Sequence, residues 1–346
     1  MLIRGDARAL PLLDGSVDCV VTSPPYWGLR DYGTAEQIGL EKSPDAYVAA
    51  LVDVFREVRR VLKDTGTCWV NLGDSYCADV RKGRAAMGIG KNDAHNVWFN
   101  RTAEGLKAKD LVGIPWRVAF ALQADGWYLR SDIIWSKANP MPESVTDRPT
   151  KSHEYLFLLA KQERYYYDAQ AIAEPVSDAM LLQVEQGYDG LGLKDYEGAG
   201  VQNPSSVKAR IVQNARKNEQ SGDRRKVGFN DRWDQKEITN KQAHIPGKSG
   251  GNGLTRNRRS VWTVPTMPYS GAHFATMPEK LVEPCILAGC PMGGLVLDPF
   301  VGSGTVVAVA ERLGRRGVGV DLAYQDLSRK RTAQRGLRFG MQGVEA

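Results

Sequence analysis

Hydrophobic positions along the chain alternate between short β-branched runs and helically spaced stretches. Asp18–Thr22 is an apolar, β-branched run, whereas Tyr47–Leu62 places apolar residues three and four positions apart. The first pattern is typical of a strand and the second of a helix. The first part of the chain contains predicted strands at Asp18–Thr22, Thr67–Leu72, Trp127–Trp135 and Tyr155–Ala160, and predicted helices at Tyr47–Leu62 (ended by Gly66) and Leu111–Ala124.

The last part of the chain repeats this alternation. A predicted helix runs from Met277 through Leu287, and a buried strand, Gly294–Asp298, follows it. A glycine-rich turn then precedes a predicted helix, Val306–Leu313, and a strand, Gly317–Asp321. Strands that alternate with helices predict an α/β fold with a mostly parallel sheet.

The stretch between these two parts has a different composition. Residues 203–260 contain fourteen Lys or Arg and five Asp or Glu, a local net charge of +9 against +6 for the whole chain. One interpretation is a solvated or partly disordered insertion. The other is a segment that faces nucleic acid, where Lys and Arg meet phosphates and polar side chains contact base edges.

Composition excludes several classes of protein. Of 346 residues, 42% are hydrophobic and 25% are charged, which is ordinary for a globular protein and excludes a wholly disordered or fibrous chain. Five cysteines, none two residues from another, predict neither a zinc site nor a redox pair. Without a signal-peptide pattern or a membrane-spanning run, we expect a soluble protein of a reducing compartment.

Four residues at the end of the first predicted strand favour recognition of an amine. Ser23-Pro24-Pro25-Tyr26 stops the strand, and its prolines remove backbone donors while leaving carbonyl and hydroxyl acceptors. Acceptors beside an aromatic face suit a planar base that carries an exocyclic amine. The alternative is a structural proline turn with an aromatic packed on it.

The glycine-rich turn at 299–305 has the form of a cofactor cradle. It lies between a strand and a helix, and Asp321 ends the next strand, where an acid suits ribose hydroxyls. The turn lacks the lysine of an ATP-binding loop and the third glycine of the dinucleotide fingerprint, which disfavours both ligands. An ordinary tight turn remains the alternative.

Together the two motifs resemble those of a known family. Thr22-Ser23-Pro24-Pro25-Tyr26-Trp27 resembles the catalytic motif of amino-methylating DNA methyltransferases, and the segment Asp298–Thr305 resembles their S-adenosylmethionine-binding motif. The order, with the catalytic motif first and the cofactor motif last, is similar to that of the β-group. The resemblance covers about residues 1–168 and 260–322. It implies a circularly permuted Rossmann-like methyltransferase fold with an inserted target-recognition region.

The resemblance also implies roles for individual residues. The implied catalytic residues are Ser23, Pro24, Pro25 and Tyr26. The implied S-adenosylmethionine-binding residues are Asp6, Ala7, Thr22, His273, Phe274, Thr276, Lys280, Asp298, Phe300, Gly302, Ser303, Gly304, Thr305 and Asp321. Asn139, Ser152, His153 and Glu154 are candidates for contacts to the target base or backbone, with a polar loop stabilised by local caps as the alternative.

The reaction that the resemblance implies is direct in-line methyl transfer to an amine of a base flipped out of duplex DNA, with no metal. A serine at position 23 favours cytosine N4, and adenine N6 is the alternative. An RNA methyltransferase and a non-catalytic DNA-binding protein also remain open. Cytosine carbon-5 methylation needs a cysteine nucleophile, but Cys285 lies in an apolar helical run and is predicted to be core.

These expectations give a domain plan and a setting. Residues 1–164 are predicted to form the catalytic half of the methyltransferase domain, 165–260 the target-recognition region and 261–346 the cofactor-binding half. The expected partners are double-stranded DNA and a separately encoded restriction endonuclease, with the protein itself a monomer or dimer. We expect a cytoplasmic, nucleoid-associated protein of bacterial or phage origin, without contact to a membrane.

Overall fold

A computed structural model of the chain describes residues 1–28, 37–77, 105–175, 255–266 and 277–322. The described helices are α1 (Pro44–Val61), α2 (Ile114–Ala124), α3 (Glu279–Gly289) and α4 (Thr305–Arg312). The described strands are β1 (Leu2–Arg4), β2 (Val17–Thr22), β3 (Leu62–Leu72), β4 (Tyr128–Ser136), β5 (His153–Ala160), β6 (Glu174–Pro175), β7 (Thr255–Arg256), β8 (Val261–Thr263), β9 (Leu295–Asp298) and β10 (Arg316–Asp321).

Eight of these strands form one sheet in the order β1-β10-β9-β2-β3-β5-β4-β8. Pairing is parallel from β1 across to β3 and between β4 and β8, while β5 runs antiparallel to both of its neighbours. The predicted α/β fold with a mostly parallel sheet is confirmed. The strands β9 and β10, late in sequence, lie between β1 and β2, which is the arrangement expected of a permuted fold.

Alternate residues of the central strands pack against helices on opposite faces of the sheet. Cys68 and Val70 of β3 belong to the core cluster that also contains the buried residues of α1 and α2. Thr67 and Trp69 of the same strand approach Gly289 of α3 on the other face. Successive side chains of a strand point to opposite faces, so this strand is buried on both sides.

The helix α1 begins where its sequence indicates and ends earlier than predicted. Ser43 Oγ accepts a hydrogen bond from the Ala46 amide at 3.2 Å, and Pro44 occupies the first turn. Gly66 was predicted to end this helix, and that prediction is wrong because the helix ends at Val61 and Gly66 lies inside β3. A Cβ at Gly66 would stand 2.5 Å from Leu62 Cδ1, so the glycine permits close packing within the strand.

The chain divides into two compact units, one of Met1–Tyr167 with Ser260–Ala346 and one of Asp168–Arg259. In the second unit, β6 pairs antiparallel with β7, and Glu174 Oε2 lies 3.0 Å from Arg259 Nε. Most of the basic stretch, residues 203–254, falls outside the described residues. None of the helices described is both long and apolar enough to cross a membrane.

We expect the substitution Gly317→Ala to destabilise the part of the sheet that β9 and β10 form. A Cβ at this position of β10 would stand 2.9 Å from Val307 Cα and 3.0 Å from the Val307 carbonyl oxygen, both backbone atoms of α4. Overpacking of this kind costs about 1–3 kcal/mol of unfolding free energy. Urea denaturation measures it, with Gly5→Ala as control because its Cβ would meet Val320 only at 3.4 Å. Equal midpoints for the two variants would contradict the prediction.

Candidate active site

The two motifs meet at one edge of the sheet. Because β2, β9 and β10 are parallel, their carboxyl ends at Thr22, Asp298 and Asp321 face the same side. Open α/β sheets bind ligands at this side. Thr22 Oγ1 donates to Asp298 Oδ1 at 2.7 Å, and this buried hydrogen bond joins the strand of one motif to the strand of the other.

The glycine-rich turn is held in place by the acid that ends β10. Gly302 and Gly304 have φ angles of 44° and 79°, a region that favours glycine. The Gly302 amide donates to Asp321 Oδ2 at 3.0 Å, and Gly304 is the N-cap residue directly before α4. The turn therefore presents backbone close to a carboxylate at the start of a helix.

Asp298 is a buried carboxyl group with an unusual pKa. Burial raises its pKa to about 7, against the opposing effect of hydrogen bonds from Thr22 and the Phe300 amide. Further along the turn, Ser303 Oγ and Thr305 Oγ1 are buried and lie 3.2 Å apart. A carboxyl group with a pKa of about 7 changes its charge close to neutral pH.

The remaining residues expected to bind the cofactor lie in different surroundings. Ala7 is buried, and the Asp6 carboxylate accepts a hydrogen bond from Arg8 Nη2 at 2.6 Å, which lowers the pKa of Asp6. The Gly5 amide donates to the Asp321 carbonyl, so this segment lies next to the end of β10. Lys280 is exposed in the first turn of α3. His273, Phe274 and Thr276 lie outside the described residues.

The Ser-Pro-Pro-Tyr segment leaves the sheet directly after β2. The Pro25 carbonyl accepts a hydrogen bond from Tyr47 Oη at 2.9 Å, whereas the Pro24 carbonyl accepts none from the described residues. Trp27 is 5% exposed within the core, and its Nε1 donates to the Glu41 carbonyl. Among the described residues, the segment therefore offers the Ser23 hydroxyl, the Pro24 carbonyl and the Tyr26 ring.

Tyr26 is held by a carboxylate from a different strand. Its hydroxyl donates to Glu154 Oε2 at 2.6 Å, and Asn71 Nδ2 lies 2.5 Å from the same hydroxyl. Burial raises the pKa of Tyr26, and the neighbouring Glu154 carboxylate raises it further. Gly73 makes room for the ring, since a Cβ there would stand 2.6 Å from Tyr26 Cε2.

Glu154 is the centre of a buried polar cluster. Lys137 Nζ lies 2.6 Å from Glu154 Oε1, and Asn71 Nδ2 donates to Oε2 at 2.8 Å. Burial alone would raise the pKa of Glu154, but Lys137 and the hydrogen bonds from Tyr26 and Asn71 outweigh it and lower that pKa. Glu154 is therefore a carboxylate at neutral pH.

The other residues predicted to contact the target base or backbone, Asn139, Ser152 and His153, lie outside the cluster around Glu154. Asn139 Oδ1 accepts from the Thr266 amide at 2.7 Å, and Asn139 Nδ2 donates to the Thr266 carbonyl, so its side chain is used within the protein. Ser152 is exposed, and the His153 ring packs edge-on against Tyr155. Cys285 is fully buried in α3, as predicted for a core residue.

Asn71 and Lys137 were not among the residues predicted from the sequence to form the site. Asn71 is a polar residue within an apolar strand, 1% exposed, and this contrast was the available signal. Lys137 follows β4 and carried no signal of its own, because it reaches Glu154 only through the antiparallel pairing of β4 with β5.

A family model described as DNA methylase, for N6 and N4 methyltransferases, matches residues 17–328. Two type II methyltransferases are similar over most of the chain. M.SmaI of Serratia marcescens is 43% identical over 338 residues, covering 96% of this chain and 91% of the relative. M.Cfr9I of Citrobacter freundii is 45% identical over 334 residues, covering 94% and 85%.

Two solved structures share the fold. The cytosine-N4-specific PvuII DNA methyltransferase superposes with a TM-score of 0.54 and 16% identity, covering 94% of this chain and 84% of that one. The putative DNA modification methylase TTHA0409 of Thermus thermophilus, complexed with S-adenosylmethionine, gives 0.51 and 22%, covering 96% and 93%. The predicted methyltransferase fold is thus confirmed.

Proposed function

We propose that this chain, which belongs to the N6/N4 DNA methylase family, transfers a methyl group from S-adenosylmethionine to N4 of cytosine in duplex DNA. Membership in the family makes the chain an S-adenosylmethionine-dependent DNA methyltransferase. The choice of base, the roles of individual residues and the partners are our inference. The observation that carries it is the buried hydrogen bond from Thr22 to Asp298, which joins the Ser-Pro-Pro-Tyr segment to the glycine turn at one sheet edge.

The glycine turn and its two acids suit the cofactor. Glycines at 302 and 304 let a ligand approach the backbone, and Asp321 offers a carboxylate of the kind that binds ribose hydroxyls. Asp298, at the end of the adjacent strand, would face the positively charged part of the cofactor. S-adenosylmethionine supplies the methyl group as an activated sulfonium, so the protein needs chiefly to position the acceptor.

The Ser-Pro-Pro-Tyr segment suits an exocyclic amine. Ser23 Oγ and the Pro24 carbonyl would accept hydrogen bonds from the amine and turn its lone pair toward the methyl group. The ring of Tyr26 would hold a base flipped out of the duplex. Since the pKa of its hydroxyl is raised, Tyr26 stays protonated and keeps its hydrogen bond to Glu154.

Cytosine is favoured over adenine by two lines of support. Ser23 occupies the position at which this motif carries serine in cytosine-N4 enzymes, and the PvuII enzyme with this fold is cytosine-N4-specific. The similarity to M.SmaI and M.Cfr9I supports a type II setting with a separately encoded restriction endonuclease. We further propose that residues 165–260, with their excess of Lys and Arg, recognise the target sequence.

The test is nucleoside mass spectrometry of DNA incubated with the protein and methyl-labelled S-adenosylmethionine. We expect labelled N4-methylcytosine from duplex genomic DNA and no label in single-stranded RNA of matched composition. Several genomes of different base composition serve as substrates, so that at least one contains the recognition sequence often.

Three results would contradict the proposal at different levels. Labelled N6-methyladenine would keep the fold and site and overturn the choice of base. Label in the RNA alone would move the substrate from duplex DNA to RNA. Absence of label in every substrate, with S-adenosylmethionine bound, would leave a non-catalytic DNA-binding protein.

A further inference from the structure

Three strands bring one buried carboxylate next to the Ser-Pro-Pro-Tyr segment. Asn71 lies near the carboxyl end of β3, Lys137 follows β4, and Glu154 lies at the start of β5. Because β5 is antiparallel to both neighbours, its first residues lie at the edge where β3 and β4 end. Glu154 is 9% exposed there, and its two oxygens are divided between Lys137 on one side and Tyr26 with Asn71 on the other.

An ionised carboxylate fixes the direction of the hydrogen bonds around it. A carboxylate only accepts, so the Tyr26 hydroxyl must direct its single proton to Glu154. The Asn71 amide must likewise turn its nitrogen toward Glu154, and its second proton then lies between that nitrogen and Tyr26 Oη, which are 2.5 Å apart. Tyr26 Oη is thereby an acceptor toward every other neighbour.

The direction of the Tyr26 hydrogen bond also determines which way the Ser23 hydroxyl points its proton. Ser23 Oγ lies 3.4 Å from Tyr26 Oη and 3.5 Å from Asn71 Nδ2. Since the Tyr26 proton is directed to Glu154, the Ser23 hydroxyl is the donor in their contact. Its proton is therefore directed inward, and, beside the long contact from Asn71 Nδ2, a lone pair remains for a group on the outside.

We propose that Glu154 is a positioning residue that fixes the direction of this hydrogen-bond chain, so that Ser23 presents an acceptor and not a donor to the target base. The proposal rests on the proposed function, in which Ser23 accepts a hydrogen bond from the amine. An acceptor selects a base edge that carries an amine over one that carries a carbonyl. Lys137 keeps Glu154 ionised, and thereby keeps the direction fixed.

The first test removes the charge of Glu154 and keeps its shape. The side-chain amide in the variant Glu154→Gln can donate to Tyr26, so the direction of the chain is lost. We expect kcat to fall about 10- to 100-fold, because a misdirected Ser23 no longer orients the amine. KM for DNA and Kd for S-adenosylmethionine should change less than about two-fold. Glu57→Gln is the control, since Glu57 is a half-buried carboxylate paired with Arg60 in α1.

The second test uses the pH profile of kcat at saturating S-adenosylmethionine. The charged and titratable groups around Glu154 are Lys137 and Tyr26, with Lys151 also contributing. In Lys137→Met, burial is no longer opposed by the Lys137 cation, so the pKa of Glu154 rises. The variant should lose activity on the acid side at a pH where the wild type is still at its plateau. A purely structural role for Glu154 would lower stability and leave the shape of the profile unchanged.

A third variant, Tyr26→Phe, tests the same hydrogen-bond chain if Glu154→Gln or Lys137→Met folds poorly. Tyr26→Phe retains the ring and removes the hydroxyl that links Glu154 to Ser23, and it should lower kcat to a similar extent without moving the pH profile. Wild-type kcat in both Glu154→Gln and Tyr26→Phe would overturn the proposal. In that case, the variant Ser23→Ala shows which proposal fails. If Ser23→Ala is inactive in the same assay, the proposed function stands and only the positioning role of Glu154 is wrong. If Ser23→Ala is fully active, the proposed role of Ser23 in methyl transfer is wrong.

Discussion

Replacing Ser23 by alanine is expected to lower kcat for methyl transfer about 10²- to 10³-fold, the usual effect of losing one hydrogen-bonding group that acts on the reacting atoms. The substitution removes one hydroxyl at the end of β2 and leaves Tyr26 bonded to Glu154 and Asn71. The aromatic surface for the base and the glycine turn are thus unchanged. We therefore expect the loss in kcat, with KM for DNA and Kd for S-adenosylmethionine close to wild type.

Single-turnover kinetics with labelled cofactor separate this chemical step from product release. Ser16→Ala is the matched control, because Ser16 Oγ donates to the Leu13 carbonyl in an exposed turn before the same strand. Ser16→Ala should retain the wild-type rate. A Ser23→Ala rate within about three-fold of wild type would rule out a role for the hydroxyl in orienting the amine.

The elements that carry the two motifs were predictable, because their hydrophobic patterns are long and regular. The helix predicted at Tyr47–Leu62 is α1, and the strand predicted at Gly294–Asp298 is β9. The strands β1 and β8 have three residues each, too few to show a period of two, and they were missed. The predicted helix end at Gly66 was wrong because a glycine after a charged helical turn is typical of a helix end, whereas here it lies inside β3.

The cluster around Glu154 was not predictable from spacing. Lys137 lies more than sixty positions after Asn71, and Glu154 lies seventeen positions after Lys137. Only the strand order β3-β5-β4 brings these three residues together. Asn139 shows the opposite case, since the family resemblance made it a candidate for a contact to the target base or backbone, and its side chain bonds to the backbone of Thr266 instead. Sequence motifs identified the residues proposed to contact ligands, whereas tertiary pairing determines the polar groups that support them.

The affinity for S-adenosylmethionine is expected to increase as the pH rises through about 7. Burial raises the pKa of Asp298 to about 7, so the side chain is neutral below that pH and charged above it. The cofactor carries a positively charged sulfonium, so it should bind the ionised form more tightly and displace a proton. Below the pKa, Kd should then rise by up to about ten-fold for each pH unit, with a plateau above it.

Calorimetry in two buffers with different ionisation enthalpies measures both the Kd and the released proton. Asp298→Asn is the control variant, because the hydrogen bonds from Thr22 and the Phe300 amide both go to Oδ1, which asparagine retains. This variant should bind S-adenosylmethionine weakly, with a Kd that does not change with pH. A wild-type Kd that is flat between about pH 6 and 8 would show that Asp298 does not face the cationic part of the cofactor.

Ionisation of Asp298 should also lower the stability of the unliganded protein as the pH rises, whereas it raises the affinity for the cofactor. The pKa of Asp298 is 3.8 in its ordinary state and about 7 when folded, so between these values the folded protein holds a proton that the unfolded chain has lost. Its contribution to the unfolding free energy is therefore complete below pH 3.8 and declines as the pH rises to about 7. Asp298→Asn should remove this decline, and the melting temperature of the variant should exceed that of the wild type at about pH 8. Added S-adenosylmethionine should reverse that order, because only the wild type gains the charge interaction; equal stabilisation of both proteins would assign Asp298 a structural role alone.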